Sequence, residues 1–265
     1  MNWTLDEGFE TPGGVVRWGT LGSGDPLVLV HGTPYSSFLW RDFAPALART
    51  RTVYFFHHLG FGQSEQHEGQ DLSLAAHSRN FAQLLDHWGL SRPSVVAHDI
   101  GGAVALRTLL LEERNYRDLT LFDAVSGGEW ERGLFRLFLE HEEVFRKLPD
   151  YAHEALVASH LRHATHAGFR PGILDAFLAP WRGRQGSRRS TVNTARSGRR
   201  TRPRTSTCWA VCRFRCGSSG AARTAFSLRS TPRGCTNAFR TPNCTGSMTP
   251  ATSSRKTRPA SCWPA

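Results

Sequence analysis

The stretch Ser94-Val-Val-Ala-His-Asp-Ile-Gly-Gly102, followed directly by the apolar segment Ala103–Leu111, decides the fold. Its first four residues are typical of a buried strand, and the segment after the glycines is typical of a helix. Asp99 therefore lies in a sharp strand-to-helix turn, which requires small neighbours because the strand and the helix pass close together. The alternative role for Asp99 is a helix cap, since an aspartate there accepts hydrogen bonds from free N–H groups.

Outward from this turn, apolar runs alternate with helical patterns. The predicted strands are Val28–Val30, Thr52–Phe56, Ser94–Ala97 and Leu119–Phe122, and the predicted helices include Phe38–Leu47, burying Trp40, Phe43 and Leu47, and Leu72–Trp88. This alternation predicts an α/β fold with a mostly parallel sheet and helices on both faces. Because ligands bind at the carboxyl ends of parallel strands, we expect His31–Pro34, Asp99 and Asp123 to meet at one edge.

The composition divides the chain into two parts near Trp181. Residues 1–181 carry all 12 histidines and all 22 acidic residues against 15 Lys and Arg, a net charge of −7. Residues 182–265 carry all six cysteines and 18 Lys and Arg, with no acidic residue, a net charge of +18. At Gly127 the pattern also changes from alternating strands and helices to helices alone, so we divide the chain into an α/β core at 1–126, a helical cap at 127–181 and a basic tail at 182–265.

The cap is rich in histidine but lacks a metal-binding pattern. His153, His160, His163 and His166 drift around a helix, and no cysteine or carboxylate completes a set of ligands. We expect them to be surface histidines, and we predict neither a metal nor a cofactor.

The N-terminus lacks the features of a signal peptide, and no apolar run approaches the roughly 20 residues that span a bilayer, so we expect a cytoplasmic protein that does not enter the membrane.

Three motifs together, His31-Gly-Thr-Pro34, Gly60-Phe-Gly-Gln-Ser64 and His98-Asp-Ile-Gly-Gly102, make residues 12–181 resemble the α/β-hydrolase superfamily. The resemblance is to the branch of epoxide hydrolases and haloalkane dehalogenases. It implies that Asp99 is a nucleophile that forms an ester with a small apolar epoxide or halide. It also implies that the backbone N–H groups of Thr33 and Ile100 form an oxyanion hole. Asp123 matches the position of an acid that orients the catalytic histidine, although a turn or capping residue is an equal alternative.

Several residues depart from the patterns of that branch. Haloalkane dehalogenases usually have Trp in place of Ile100 and often Asn in place of Thr33, whereas epoxide hydrolases use cap tyrosines to protonate the oxygen. Tyr151 is the one tyrosine of the cap. It is a candidate for substrate binding, and the alternative is a packing residue. Epoxide and halide therefore both remain open as substrates. His98 is expected to be a structural neighbour whose side chain points away from Asp99 along the strand.

The family's base histidine should follow the last strands, yet the chain has no histidine after His166. One interpretation is an Arg-rich tail that binds nucleic acid through its phosphates. A second is a cysteine metal site, which the absence of a Cys-x-x-Cys pair disfavours. The third is that residues 182–265 are the right gene translated in the wrong frame. A non-catalytic member of the fold is a further alternative for the whole chain.

The residues favour the frameshift. We therefore expect a small-molecule substrate and do not expect a nucleic-acid partner. A GC-rich gene read out of frame yields the Arg, Ser, Thr, Pro, Ala, Gly, Cys and Trp that fill this part. With suitable codons, a one-base shift restores Arg184–Arg196 to EAGQPAFYRQYRQ, and Thr252 can return only His, Asp, Asn or Tyr, at the family's Gly-His position. We therefore predict that the last strands and helix of the fold are missing, that 182–265 is disordered, and that the chain is inactive after the ester forms.

Overall fold

A computed structural model of the chain describes residues 3–67, 69–125 and 133–182, and the backbone of two short strands at 214–216 and 226–229. The boundary between core and cap at residue 126 lies outside these ranges. Most of the tail also lies outside these ranges. The predictions made for it, which are disorder, the restored codons, a cysteine metal site and nucleic-acid binding, therefore stay predictions.

The described strands form one sheet in the order β1-β2-β4-β3-β5-β6-β8-β7. They are β1 Glu7–Thr11, β2 Gly14–Leu21, β3 Asp25–Val30, β4 Arg51–Phe56, β5 Ser94–His98, β6 Asp118–Phe122, β7 Phe214–Cys216 and β8 Phe226–Arg229. The central four, β4, β3, β5 and β6, are parallel. All four strands predicted from the sequence are present, each extended by one to three residues. The prediction of a mostly parallel α/β sheet is confirmed at its centre.

Strands β1 and β2, which the sequence pattern did not predict, form a hairpin and pair antiparallel through a turn ending at Gly14. β2 then pairs antiparallel with β4, so the hairpin covers one edge of the parallel strands. At the other edge β8 pairs antiparallel with β6, and β7 with β8. The tail thus supplies two short antiparallel strands where the last strands of the fold were expected to be missing. An unpaired strand edge offers N–H and C=O groups that such a segment can bond.

The described helices are α1 Ala44–Leu47, α2 Leu74–His87, α3 Ile100–Leu111, α4 Leu134–Glu140, α5 Glu142–Arg146, α6 Asp150–His163 and α7 Ile173–Leu178, with 3₁₀ turns at Ser37–Trp40 and Ala179–Trp181. None of the helices in the described ranges combines the length and hydropathy needed to cross a membrane. α2 begins after Ser73, whose hydroxyl accepts a hydrogen bond from the N–H of Ala76. This cap explains why the helix starts two residues later than its apolar pattern does.

The single helix predicted at Phe38–Leu47 is wrong. The segment forms a 3₁₀ turn and the four-residue α1, with Pro45 in its first turn. Proline fits the first turn of a helix but lacks the N–H that a helix interior requires, so a single helix cannot run through Pro45. Trp40 is buried as expected, but Phe43 is 61% exposed and Leu47 37% exposed.

Side chains of β3 alternate between two hydrophobic clusters, one on each face of the sheet. Val28 and Val30 belong to the larger cluster, which also contains the buried faces of α2 and α3. Leu27 and Leu29 belong to the smaller cluster, with Trp40 and Phe55. The larger cluster extends into the cap, because it contains residues of α6, α7 and the last 3₁₀ turn.

Candidate active site

Asp99 lies at the apex of the turn between β5 and α3, with φ 54° and ψ −127°. A non-glycine residue rarely adopts this backbone conformation, and such strain costs about 1–3 kcal/mol. Strain of this kind is typical of a nucleophile elbow, where it presents the side chain above the ends of the strands. Asp99 makes no side-chain capping bond to the helix that follows. The capping alternative is therefore not supported.

Two glycines allow the elbow to approach the neighbouring turn. A Cβ on Gly101 would lie 2.5 Å from the carbonyl oxygen of His31, and one on Gly32 would lie 2.3 Å from the Cβ of Asp99. Both distances are far below normal contact, so neither position accepts a larger residue without movement of the backbone. The close approach brings Asp99 against the turn His31–Pro34, as the sequence predicted.

The carboxylate of Asp99 accepts a hydrogen bond from this turn and lies at the N-terminus of its own helix. The N–H of Thr33 donates to Oδ1 at 2.7 Å, and the N–H of Ile100, the first of the helix, favours the charged form of the carboxyl group. Burial raises the pKa of the Asp99 carboxyl above its ordinary value, while the two N–H groups and the charges of His98 and His160 lower it. The two predicted oxyanion donors therefore meet at the predicted nucleophile, and their contribution to catalysis stays a proposal.

Buried histidines form hydrogen bonds that fix the turn His31–Pro34 and the residues next to it. The Nε2 of His31 accepts a hydrogen bond from the N–H of His58 at 3.0 Å, and the Nε2 of His58 lies 3.1 Å from the carbonyl oxygen of His31. The Nδ1 of His57 accepts from the N–H of Ser37 at 3.1 Å. The ring of His77 lies 4.9 Å from that of His58. The adjacent residues His57 and His58 thus fix the residues that follow β3 through hydrogen bonds to backbone groups.

All four of these histidines are held neutral. Burial is the largest cause, and it lowers the pKa of His57 to about 4 and that of His77 to about 4. Burial also lowers the pKa of His31 and of His58 well below the ordinary value. The acceptor nitrogens of His31 and His57 need the unprotonated ring, because a protonated nitrogen cannot accept the backbone N–H.

Asp123 lies near the elbow, at the end of β6, with φ 44°. The N–H of Val125 donates to the carbonyl oxygen of Asp99 at 3.0 Å and joins the two turns. The ring of His98 lies 5.0 Å from that of Phe122 and 5.8 Å from that of Tyr35. Burial lowers the pKa of His98, and the charges of Asp99 and Asp123 raise it. His98 thus lies in the field of both carboxylates, a relation that the strand pattern alone did not indicate.

The cap covers the elbow. The indole Nε1 of Trp181 donates to the carbonyl oxygen of Pro34 at 3.0 Å, and the ring of Phe177 lies 5.1 Å from that of Tyr35. Burial raises the pKa of the Tyr35 hydroxyl, and the negative charge of Asp99 raises it further. Its position directly after the His31–Pro34 turn was the sequence signal that could have identified it.

The cap residues named from the sequence fall in different places. Tyr151 is 78% exposed at the start of α6, so the structure does not bring it to Asp99. Of the four cap histidines, His163 and His166 are exposed as expected, but His153 is fully buried and His160 half-buried. His153 and His160 share the face of α6 that carries the buried Val157 and Leu161, and that spacing was the sequence signal that could have identified them. Within the described ranges, no three His, Cys, Asp or Glu side chains form a group that could hold a metal ion.

A strained residue in the turn between a central parallel strand and its helix, facing a tight His-Gly turn and covered by helices, is typical of α/β-hydrolase-fold proteins. The family described as alpha/beta hydrolase fold matches residues 25–206 of the chain. The chain belongs to this family, and the fold and enzyme class predicted from the sequence are confirmed.

Curated relatives carry the names of two kinds of hydrolase. Haloalkane dehalogenase 2 of Mycobacterium tuberculosis is 31% identical over 113 residues, which are 43% of this chain and 40% of the relative. The soluble epoxide hydrolase of a Corynebacterium species is 42% identical over 87 residues, which are 32% of this chain and 30% of the relative. The chain thus matches less than half the length of these two relatives.

A solved structure agrees with the fold over a longer stretch. An alpha/beta hydrolase fold protein from Burkholderia ambifaria is 41% identical and superposes with a TM-score of 0.68, covering 72% of this chain and 70% of that chain. The predicted likeness to epoxide hydrolases and dehalogenases is confirmed by the relatives' names, whereas the roles of Asp99, Asp123, Thr33 and Ile100 belong to the proposal that follows.

Proposed function

We propose that this chain is a hydrolase in which Asp99 forms an ester with a small apolar epoxide or alkyl halide. The observation that carries the proposal is the hydrogen bond of 2.7 Å from the Thr33 N–H to Oδ1 of Asp99 at the strained elbow. This bond orients the carboxylate and leaves the second oxygen, Oδ2, available for attack. A helix N-terminus and backbone donors also favour the ionised nucleophile.

The ester-forming step differs between the two substrates. With a halide, Oδ2 attacks the carbon, the new C–O bond forms, and the halide leaves with the electron pair of the broken bond. With an epoxide, the broken bond is a ring C–O bond, and its electron pair stays on an oxygen that needs a proton. The names of the two curated relatives support these substrate classes.

Hydrolysis of the ester would draw on the two backbone N–H groups as an oxyanion hole. Water attacks the ester carbonyl, and the negative charge develops on the oxygen that Thr33 and Ile100 hold. Removal of one such donor costs about 3–4 kcal/mol of transition-state stabilisation in comparable sites. Asp123 would orient the histidine that takes the proton from water.

That base histidine is absent from the chain as written, which has none after His166. We propose that a frameshift near codon 184 removed it, with its codon now read across Ala251 and Thr252. The expected consequence is an enzyme that forms the ester and does not release it at a useful rate. The ester would accumulate, because general-base catalysis typically contributes about 10²–10⁴-fold to such a step.

Intact-protein mass spectrometry tests this proposal directly. Incubation with styrene oxide should add the whole mass of the epoxide, and incubation with phenethyl bromide should add the phenethyl group alone. Asp99→Asn should abolish both additions, whereas Asp6→Asn, a change at an exposed carboxylate far along the chain, should abolish neither. A wild-type chain that gains no mass with either probe would contradict the proposal.

The frameshift has its own test. Insertion of one base near codon 184 should produce a protein that turns over at least one of the two probes, and the same protein with His replaced in the restored Gly-His should again accumulate the ester. Sequencing of the genomic DNA between codons 175 and 190 should show the lost base. Turnover by the uncorrected chain would show that the missing histidine is not required.

A further inference from the structure

Trp181 ends the last 3₁₀ turn of the cap and lies against the turn His31–Pro34. Its side chain is 2% exposed and belongs to the larger hydrophobic cluster. The indole Nε1 donates to the carbonyl oxygen of Pro34 at 3.0 Å, and the ring meets that of Phe61 edge-on, with centroids 5.6 Å apart. A buried indole N–H usually finds a hydrogen-bond partner. Here the partner is the backbone of the turn beside the elbow.

The same end of the cap is fixed to the core segment that follows this turn. The ring of Phe177 lies 5.1 Å from that of Tyr35, and the guanidinium of Arg170 forms an ion pair of 2.5 Å with the carboxylate of Asp42. These contacts reach the core through groups other than the indole. Trp181 is therefore held on its own side of the hydrogen bond as well.

Few rotations separate the Pro34 carbonyl from the N–H of Thr33. The peptide groups are planar, and the proline ring fixes its own φ. The rotations that remain are ψ of Pro34 and the two backbone dihedrals of Thr33, which are themselves restricted in a residue before proline. The Thr33 N–H donates to Oδ1 of Asp99 at 2.7 Å. A bond that holds the Pro34 carbonyl thus also restricts the direction of this donor.

We propose that Trp181 is a positioning residue through which the cap sets the Thr33 donor and, with it, the orientation of the Asp99 carboxylate; this inference rests on the proposed function above. The indole holds Pro34, and the Thr33 N–H holds Oδ1, so that Oδ2 is presented for attack. The cap then takes part in forming the ester and does more than cover the site. Epoxides and halides meet the same oriented carboxylate, so ester formation with either should depend on Trp181.

Trp181→Phe tests the hydrogen bond because it keeps an aromatic ring beside Phe61 and removes the N–H. The rate of mass addition to Asp99 is measured over a range of concentrations of styrene oxide and of phenethyl bromide. The maximal rate should fall about fivefold with both probes, the effect expected from the loss of one hydrogen bond. The concentration that gives half the maximal rate should stay unchanged, because the ring that closes the site is retained.

The matched control is Trp40→Phe, the same change at another buried tryptophan. Trp40 is 3% exposed, and its Nε1 has no hydrogen-bond partner among the residues that the structure describes. The replacement therefore removes ring atoms without removing a hydrogen bond. It should leave both the maximal rate and the half-maximal concentration as they are in the wild-type chain.

A second measurement follows the Thr33 donor itself and does not depend on activity. In protein labelled with nitrogen-15 threonine, the amide resonance of Thr33 is identified by its loss in Thr33→Ser. In Trp181→Phe this resonance should move upfield and its proton should exchange faster with solvent, because the bond to Asp99 is weaker. Trp40→Phe should change neither property. A Thr33 resonance that does not respond to Trp181→Phe would overturn the inference.

Benzothienylalanine at position 181 provides the same test if Trp181→Phe does not fold. It keeps the two fused rings and has sulfur in place of the N–H, so the packing is retained and only the donor is lost. The fivefold slowing and the shift of the Thr33 amide should both appear. Wild-type values in this protein would overturn the inference.

The kinetic outcomes separate positioning from packing. An unchanged maximal rate in Trp181→Phe, with or without a higher half-maximal concentration, would assign Trp181 a packing role and overturn the inference. The proposed function survives that result, because Asp99 still forms its ester. Labelling of the wild-type chain by neither probe would contradict the proposed function instead, and the Thr33 amide would then decide whether the indole sets the donor.

Discussion

Asp99 combines a backbone conformation that suits glycine with a side chain that glycine lacks. At φ 54° and ψ −127° the residue is strained, and the carboxyl group is also removed from water, which raises its pKa. Neither property stabilises the fold. The strained backbone holds a buried carboxylate oxygen above the strand ends. The residue is therefore explained by chemistry rather than by folding.

The strain can be measured by comparing two variants that both remove the carboxyl group. Asp99→Gly should be more stable than Asp99→Ala by about 1 kcal/mol, since relief of 1–3 kcal/mol of strain exceeds the entropy lost with a glycine. The free energy of unfolding from denaturant titrations measures the difference. Ala75→Gly in α2 is the control, where glycine should be the less stable by about 1 kcal/mol. Equal stability of the two Asp99 variants would mean that the elbow is relaxed.

At the level of elements, the first turn of α3 passes against the end of β3. A methyl group on Gly101 would lie 2.5 Å from the carbonyl oxygen of His31 and 2.8 Å from that of Val30. These are backbone atoms of a central strand and its turn, so they cannot move as the end of a side chain can. The helix and the strand approach this closely because the elbow leaves no residues between β5 and α3 beyond Asp99.

Gly101→Ala should therefore destabilise the protein by about 2–3 kcal/mol, at the upper end of overpacking effects, and should displace the Thr33 donor. Gly89→Ala adds the same methyl group where no atom lies within 4 Å, at φ 68°, and should cost only the 1–2 kcal/mol of a left-handed residue. Thermal unfolding and the rate of mass addition measure the two effects. A Gly101→Ala protein that labels at the wild-type rate would contradict the close approach described here.

In the whole molecule, the buried histidines connect the turn after β3, the turn after β4 and helix α2. Each keeps a neutral ring in the fold, with pKa values of about 4 for His57 and His77, while an unfolded chain would protonate them near 6.5. Between those values the unfolded state binds more protons than the folded one. The stability they contribute is therefore complete above pH 6.5 and is lost as the pH falls towards 4.

The free energy of unfolding should accordingly fall between pH 6.5 and 4, with a slope of about 1.4 kcal/mol per pH unit for each histidine that stays neutral. His77→Phe should reduce the slope by one such proton, and His166→Phe, at an exposed position, should not. Denaturant titrations at several pH values provide the measurement. Stability that is flat across this range would show that these histidines are not desolvated.

Local sequence was sufficient for the elbow, the parallel strands and the two turns that meet there, because each depends on a short apolar run followed by residues of special shape. It was not sufficient for the β1–β2 hairpin, for the break before α1, for the burial of His153, or for the packing of Tyr35 against Phe177 of the cap. The difference has a physical cause. A strand, a glycine turn or a helix start follows from neighbouring residues. By contrast, a tyrosine ring packed against the cap, or a histidine kept neutral by burial, depends on segments that only tertiary packing brings together.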